Sequence, residues 1–203
     1  MKAEQFFRVV ERVGRGKYVR TKSLQKALLF VYPRNGETIA CAESCTGGLV
    51  AKLLTDLSGA SEVFVGGFVT YCDEAKQKML GVSKETLDAH HAVSAEVAIK
   101  MARGAVEKTG ATVAVSTTGV AGPSLDDSGK PVGTVYLGLA DSIGRTVVRE
   151  CHFKGTRRQI RKQAAKEALL LLFDQPFPDI VPSVDWTMRK LKFSKEPHFF
   201  HEG

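Results

Sequence analysis

The sequence predicts a three-layer α/β/α sandwich built on a mixed, mostly parallel sheet, and three observations carry that prediction. Short apolar runs suited to buried strands alternate with longer stretches whose apolar residues recur at helical spacing. The run AESCTGG at residues 42–48 joins such a strand directly to a helix, as a βα unit requires. Two strand signals near residues 133–153 then follow one another with no helix between them, so at least one neighbour is antiparallel.

Each element has its own local reason. Phe6, Val9, Val10 and Val13 repeat at helical spacing and stop at Gly14 and Gly16, which reads as a short amphipathic helix and a basic joint, an extension over residues 1–20. Residues 24–32 make a second helix, ended by Pro33 and the turn residues Asn35 and Gly36. Residues 38–42 read as a buried strand, 49–57 as a helix, and 63–71 as a strand broken by Gly66 and Gly67. The polar segment 73–80 is a helix closed by Gly81. Ser83 opens a short helix, and Ser94 with Glu96 opens a longer one to about residue 108. Strands follow at 112–117, 133–140 and 146–153, then a basic helix at 156–173. These elements make one domain, residues 21–174. Beyond it, Pro176, Pro178, Pro182 and Pro197 with Trp186, Phe193, Phe199 and Phe200 suit an extended tail over residues 175–203.

Composition narrows the class. A formal net charge of +7 favours anionic partners, but much of the excess lies at the two ends and in the last helix. The four cysteines, Cys41, Cys45, Cys72 and Cys151, lack the paired spacing of a zinc or redox site, so reduced thiols in a cytoplasmic chain are expected, with no metal. No apolar run reaches the roughly 18 residues that span a bilayer. Glu4 and Glu11, with no apolar cleavage segment, argue against a secretory leader. The expected partner is a small molecule, not nucleic acid or membrane, in a homo-oligomer that needs no cofactor.

Four segments converge on one candidate site. In AESCTGG, a strand hands into a helix, leaving N–H groups for an anion, with Ser44, Cys45 and Thr46 in the turn and Gly47 and Gly48 allowing close approach. Thr118, Gly119 and Gly122 offer a second such loop after the 112–117 strand. Tyr71 and Lys76 bring an aromatic ring and an amine to the same rim. At the start of the last helix, Arg157 and Arg158 supply planar donors suited to phosphate. Singly, Lys76 and Arg157 read as solvated surface charges; as a set, these residues read as a site.

AESCTGG, GGFVTYCDEAKQKMLGV, HAVSAEVAIKMARGA, STTGVAGP, KPVGTVYLGLA and FKGTRRQIRKQAAKEAL together resemble the C-terminal domain of CinA-type competence/damage-inducible proteins, the nicotinamide-nucleotide amidohydrolase family. The resemblance runs in order from about Leu24 to Phe173. It implies metal-independent conversion of nicotinamide mononucleotide to nicotinate mononucleotide and ammonia, as in the stand-alone deamidase form. Residue by residue it implies Ser44 as nucleophile, Lys76 as its base, and Tyr71, Thr118 and Arg157 or Arg158 as substrate contacts. Three single positions and one turn depart from the family pattern: Asp73 stands for Asn, His91 for Gly and Thr156 for an acidic residue, and Leu125-Asp126-Asp127 replaces a glycine pair. A non-catalytic nucleotide-binding or recruitment module is the alternative.

The residues fit amide hydrolysis. No Ser-His-Asp set is apparent, whereas Ser and Lys form a known variant of the triad, provided the amine, with a reference pKa of about 10.4, is neutral often enough to act. N–H groups of residues 45–48 suit the oxyanion. Cys45 remains a rival nucleophile, because a helix N-terminus helps ionise a thiol.

Overall fold

A computed structural model gives the fold and describes residues 1–125, 127 and 129–174. The tail at 175–203 and Asp126 of the altered turn lie outside the described residues. Five strands, β1 (Ile39–Glu43), β2 (Phe64–Val69), β3 (Val113–Gly119), β4 (Thr134–Asp141) and β5 (Thr146–His152), form a single sheet in the order β2-β1-β3-β4-β5. Strand β1 is parallel to β2 and β3, while β4 is antiparallel to both β3 and β5. Four strands therefore point one way and only β4 points back, the mixed sheet expected from two successive strands.

Helices α1 (Ala3–Gly14), α2 (Thr21–Val31), α3 (Leu49–Thr55) and α7 (Arg157–Phe173) cover one face; α4 (Asp73–Leu80), α5 (Lys84–His90) and α6 (Ala95–Thr109) cover the other. Strand alternation sorts the core between them. Ile39, Cys41, Val115 and Leu137 point toward α7 and its neighbours, while Ala40, Ala42 and Ala114 face α6. The small residues on that second face let α6 sit close. A Cβ added to Gly138 would lie 2.4 Å from the Ala98 carbonyl oxygen, and Ser116 donates to the same oxygen at 2.5 Å.

Local chemistry sets the ends of the helices. Ser83 and Ser94 accept the N–H groups of Thr86 and Val97, and Gly81 and Gly110 close α4 and α6 in the left-handed conformation. Thr156, where the resemblance implies an acid, forms a capping box with Gln159 at the head of α7. The glycine pair does not break β2. The irregularity is one residue earlier, where β1 steps from Phe64 to Gly66 between Ile39 and Ala40.

The N-terminal helix, read as an extension, packs onto the domain. Phe6 is buried, with its ring centroid 5.2 Å from Phe30 and 6.0 Å from Phe173, and Val9, Val10 and Val13 join the same core. Its apolar stripe is thus a packing face against α2 and α7. His91 is the only described residue other than glycine with positive φ, at φ 59 and ψ 163, a conformation that strains any side chain. No helix among the described residues is long and apolar enough to cross a membrane.

Candidate active site

The sheet brings all four predicted segments to one edge. Glu43 pairs with Val69 on one side and Thr117 on the other, so β1, β2 and β3 end level. Strand β5 points the same way and delivers α7 to that edge, where β4 begins. Ligands of open α/β sheets bind beyond such strand ends.

The helix start after β1 differs from the open anion site expected there. Glu43, the last residue of β1 and fully buried, turns its carboxylate onto the head of α3. It accepts the N–H groups of Gly48, Val50 and Ala51 at 2.9, 3.0 and 2.8 Å and the Thr46 hydroxyl at 2.6 Å. The protein's own acid therefore fills the positive end of α3. Arg161 grips the turn from the other side, donating to the carbonyls of Cys45 at 3.1 Å and Thr46 at 2.7 Å. Its guanidinium would lie 3.0 Å from a Cβ on Gly47, where φ is 58. Thr46 and Thr117 share a hydroxyl hydrogen bond at 2.7 Å. Neither Glu43 nor Arg161 was apparent in the sequence. The available signal for Arg161 is its spacing one helical turn after Arg157.

Held in this turn, Ser44 is 9% exposed and its N–H donates to the Thr117 carbonyl at 2.9 Å. The Cys45 thiol beside it is buried, and burial pushes its pKa up to about 12 against the smaller opposing effect of the Thr117 hydroxyl. Burial is the largest influence on this thiol, and the Glu43 carboxylate at the helix end pushes its pKa in the same direction. Both work against the helix-start argument for the thiol as a rival nucleophile.

Lys76 differs from a solvated charge. It is 1% exposed, and its Nζ donates to Asp73 Oδ1 at 3.3 Å. Among the described residues, no hydrogen bond joins it to Ser44. Asp73, one of the departures, is thus the direct partner of the candidate base. Tyr71 is exposed, and its hydroxyl accepts from Arg157 Nη2 at 2.5 Å, while Arg157 Nη1 donates to the Gly122 carbonyl at 2.7 Å. One guanidinium therefore links the loops after β2 and β3 to α7. Thr118 is buried with its hydroxyl donating to the Ala92 carbonyl at 2.6 Å, so it braces the segment before α6.

The glycines of the β3 loop answer to packing. A Cβ on Gly119 would lie 2.6 Å from the Thr134 carbonyl oxygen, and one on Gly122 2.6 Å from Val132 Cγ1. Two cavities flank Arg157. One of about 570 Å³ is lined by Leu49, Arg157, Arg158, Arg161 and Lys162, and one of about 330 Å³ by residues 119–125 and Arg157. Arg158, exposed, faces only the first. Among the described residues, no group of three His, Cys, Asp or Glu side chains could hold a metal ion.

Fold and site define a three-layer α/β/α domain with cations gathered around two cavities at the strand ends. The family model of the CinA C-terminal domain matches residues 21–175, and the chain belongs to that family. It is 48% identical over 140 residues to the nicotinamide-nucleotide amidohydrolase PncC of Escherichia coli (strain K12), covering 69% of this chain and 85% of that protein. It is 53% identical over 137 residues to a CinA-like protein of Syntrophomonas wolfei, covering 68% of this chain but spanning only 33% of that longer relative. The crystal structure of the competence/damage inducible protein CihA from Agrobacterium tumefaciens superposes with a TM-score of 0.73 at 39% identity, covering 75% of this chain and 93% of that one.

Proposed function

We propose that this chain is an amidohydrolase that converts nicotinamide mononucleotide to nicotinate mononucleotide and ammonia through a Ser44–Lys76 pair. The observation that carries the reading is a lysine amine buried to 1% exposure at the sheet edge where Ser44 is held. Burying a long cation is costly and is found where the group has work to do. The name and 48% identity of the E. coli relative support the same reaction.

In this mechanism Lys76, in its neutral form, takes the Ser44 hydroxyl proton as Oγ attacks the carboxamide carbon. The N–H groups of Cys45 and Thr46, which the Glu43 carboxylate does not use, receive the oxyanion. Lys76 returns the proton to the amide nitrogen, the C–N bond breaks, and ammonia leaves an acyl-Ser44 ester. Water, deprotonated by the same amine, hydrolyses the ester to the carboxylate and regenerates Ser44. The pyridine is placed by the Tyr71 ring. Arg157 and Arg158, around the larger cavity, hold the 5′-phosphate.

The test is ammonia release from nicotinamide mononucleotide by the full chain and by its Ser44→Ala and Cys45→Ala variants. The parent and Cys45→Ala should turn over and Ser44→Ala should not, while still binding the nucleotide; turnover lost in Cys45→Ala alone would move the chemistry to the thiol. One observation favours a second reading, binding without turnover: the Lys76 amine is held by Asp73. Thermal stabilisation of the parent by the mononucleotide with no ammonia released would select it.

A further inference from the structure

The hydroxyls at the active edge are almost all engaged. Thr46 bonds Glu43 and Thr117, Thr118 bonds the Ala92 carbonyl, and Ser116 bonds the Ala98 carbonyl. Two are not: Ser44 Oγ, and Thr70 Oγ1, which is fully buried and has no hydrogen-bond partner among the described residues. These two are neighbours. The Thr70 N–H donates to the Glu43 carbonyl at 2.8 Å, continuing the β1–β2 ladder by one rung, so Thr70 stands beside Ser44. Strand alternation from Ala42 and Phe68 aims both toward the face covered by α4 and α6, the face that carries Lys76.

We propose that Thr70 contacts the substrate at this site, its hydroxyl accepting one N–H of the carboxamide under attack. The inference rests on the amidohydrolase reading and adds a residue to it. A buried hydroxyl without a partner is costly, and such groups in folded proteins call for a ligand or a strained function to explain them. A primary carboxamide supplies what is missing: its oxygen goes to the N–H groups of Cys45 and Thr46, and its NH₂ has two donors to place. Thr70 takes one of them, which fixes the rotation of the amide so that the nitrogen presents itself to Lys76 for protonation. Thr70 and Lys76 lie on one connection, from the end of β2 into α4, so the group that orients the leaving nitrogen and the group that protonates it move together.

The experiment compares Thr70→Val, which keeps the shape and removes the hydroxyl, with Thr70→Ser, which keeps the hydroxyl. Because nothing among the described residues bonds this oxygen, Thr70→Val should leave Tm unchanged or higher. It should lower kcat/KM for nicotinamide mononucleotide about ten- to a hundredfold, with Ser restoring it to within about fivefold. In the Ser44→Ala background, Thr70→Val should also shrink the thermal shift produced by the mononucleotide, a readout that needs no turnover. Thr70→Val activity within about twofold of the parent together with an undiminished thermal shift would overturn the proposal. A Tm loss that tracks the activity loss, without rescue by Ser, would overturn it in favour of a packing role. If the parent binds the mononucleotide but releases no ammonia, the hydrolase reading fails, and Thr70 is judged by the thermal shift alone; a parent that does not bind it overturns both.

Discussion

Replacing Glu43 should damage the protein more than its place in a short turn suggests. Its buried carboxylate accepts four hydrogen bonds of 2.6–3.0 Å, three from the head of α3 and one from Thr46. In Glu43→Gln the amide oxygen can keep about two of these donors, while its NH₂ turns donors toward the remaining N–H groups. Two lost charge-assisted bonds, at about 1.5–3 kcal/mol each, sum to roughly 3–6 kcal/mol. At about 2–4 °C per kcal/mol for a domain of this size, Tm should fall by roughly 6–24 °C. Calorimetry of parent and variant measures this, and urea unfolding should show a lower midpoint with an unchanged slope. Thr46→Val, which removes one of the four bonds and the link to Thr117, should fall between them. A Glu43→Gln Tm within about 2 °C of the parent would show that the carboxylate does not hold α3 in place.

The other expectations are more local. Lys76→Met should cut turnover by about 10²–10⁴, and a variant within a few-fold of the parent would refute the base assignment. Arg157→Ala, which loses the links to Tyr71 and Gly122 as well as a phosphate donor, should lower both kcat and 1/KM, whereas Arg158→Ala should act on KM alone; steady-state kinetics separate them. His91→Gly should raise Tm, because relief of about 1–3 kcal/mol of backbone strain exceeds the glycine entropy cost; a lower Tm would refute it. Burial raises the thiol pKa of Cys45 and Cys151 from 9.0 to about 12, and that of Cys41 as well. The folded state therefore holds these protons longer than the unfolded one, so stability is complete below pH 9.0 and declines toward pH 12 by up to about 1.4 kcal/mol per pH unit per thiol. Denaturant midpoints across that range check the slope, and Cys45→Ala should flatten it.

What the sequence disclosed, and what it hid, divide along contact range. Serine caps, glycine stops and the period of apolar residues act within a few positions, so α4 and α6 were readable almost to the residue, and so was the start of α5. The lone reversed strand was readable too, because no helix separates β4 from β5. What stayed hidden depends on partners far along the chain. Arg161 looked like one cation among many on a basic helix, since the carbonyls it holds lie 115 and 116 residues away. Glu43 carried no signal because its donors appear only once α3 folds back over the strand end. Gly119 and Gly122 were read as room for a ligand, and both line the cavity beside Arg157, but the atoms that exclude a side chain there, on Thr134 and Val132, come from further along the chain. The stripe on α1 was visible, and its destination was not: Phe173 closes the far end of the domain.

The Arg161 clamp also sets an order of events for a growing chain. The turn bearing Ser44 leaves the ribosome early, yet the guanidinium that fixes its carbonyls is in the last described helix, as are Arg157 and the cover for half of the sheet. Domains emerging N-terminus first cannot close contacts of such range until synthesis is nearly complete, and contacts of this range are slow to form. Nascent or truncated chains that stop short of α7 therefore hold the serine in a turn that Glu43 and Thr117 shape but no guanidinium clamps, and the site is complete only when the final helix docks.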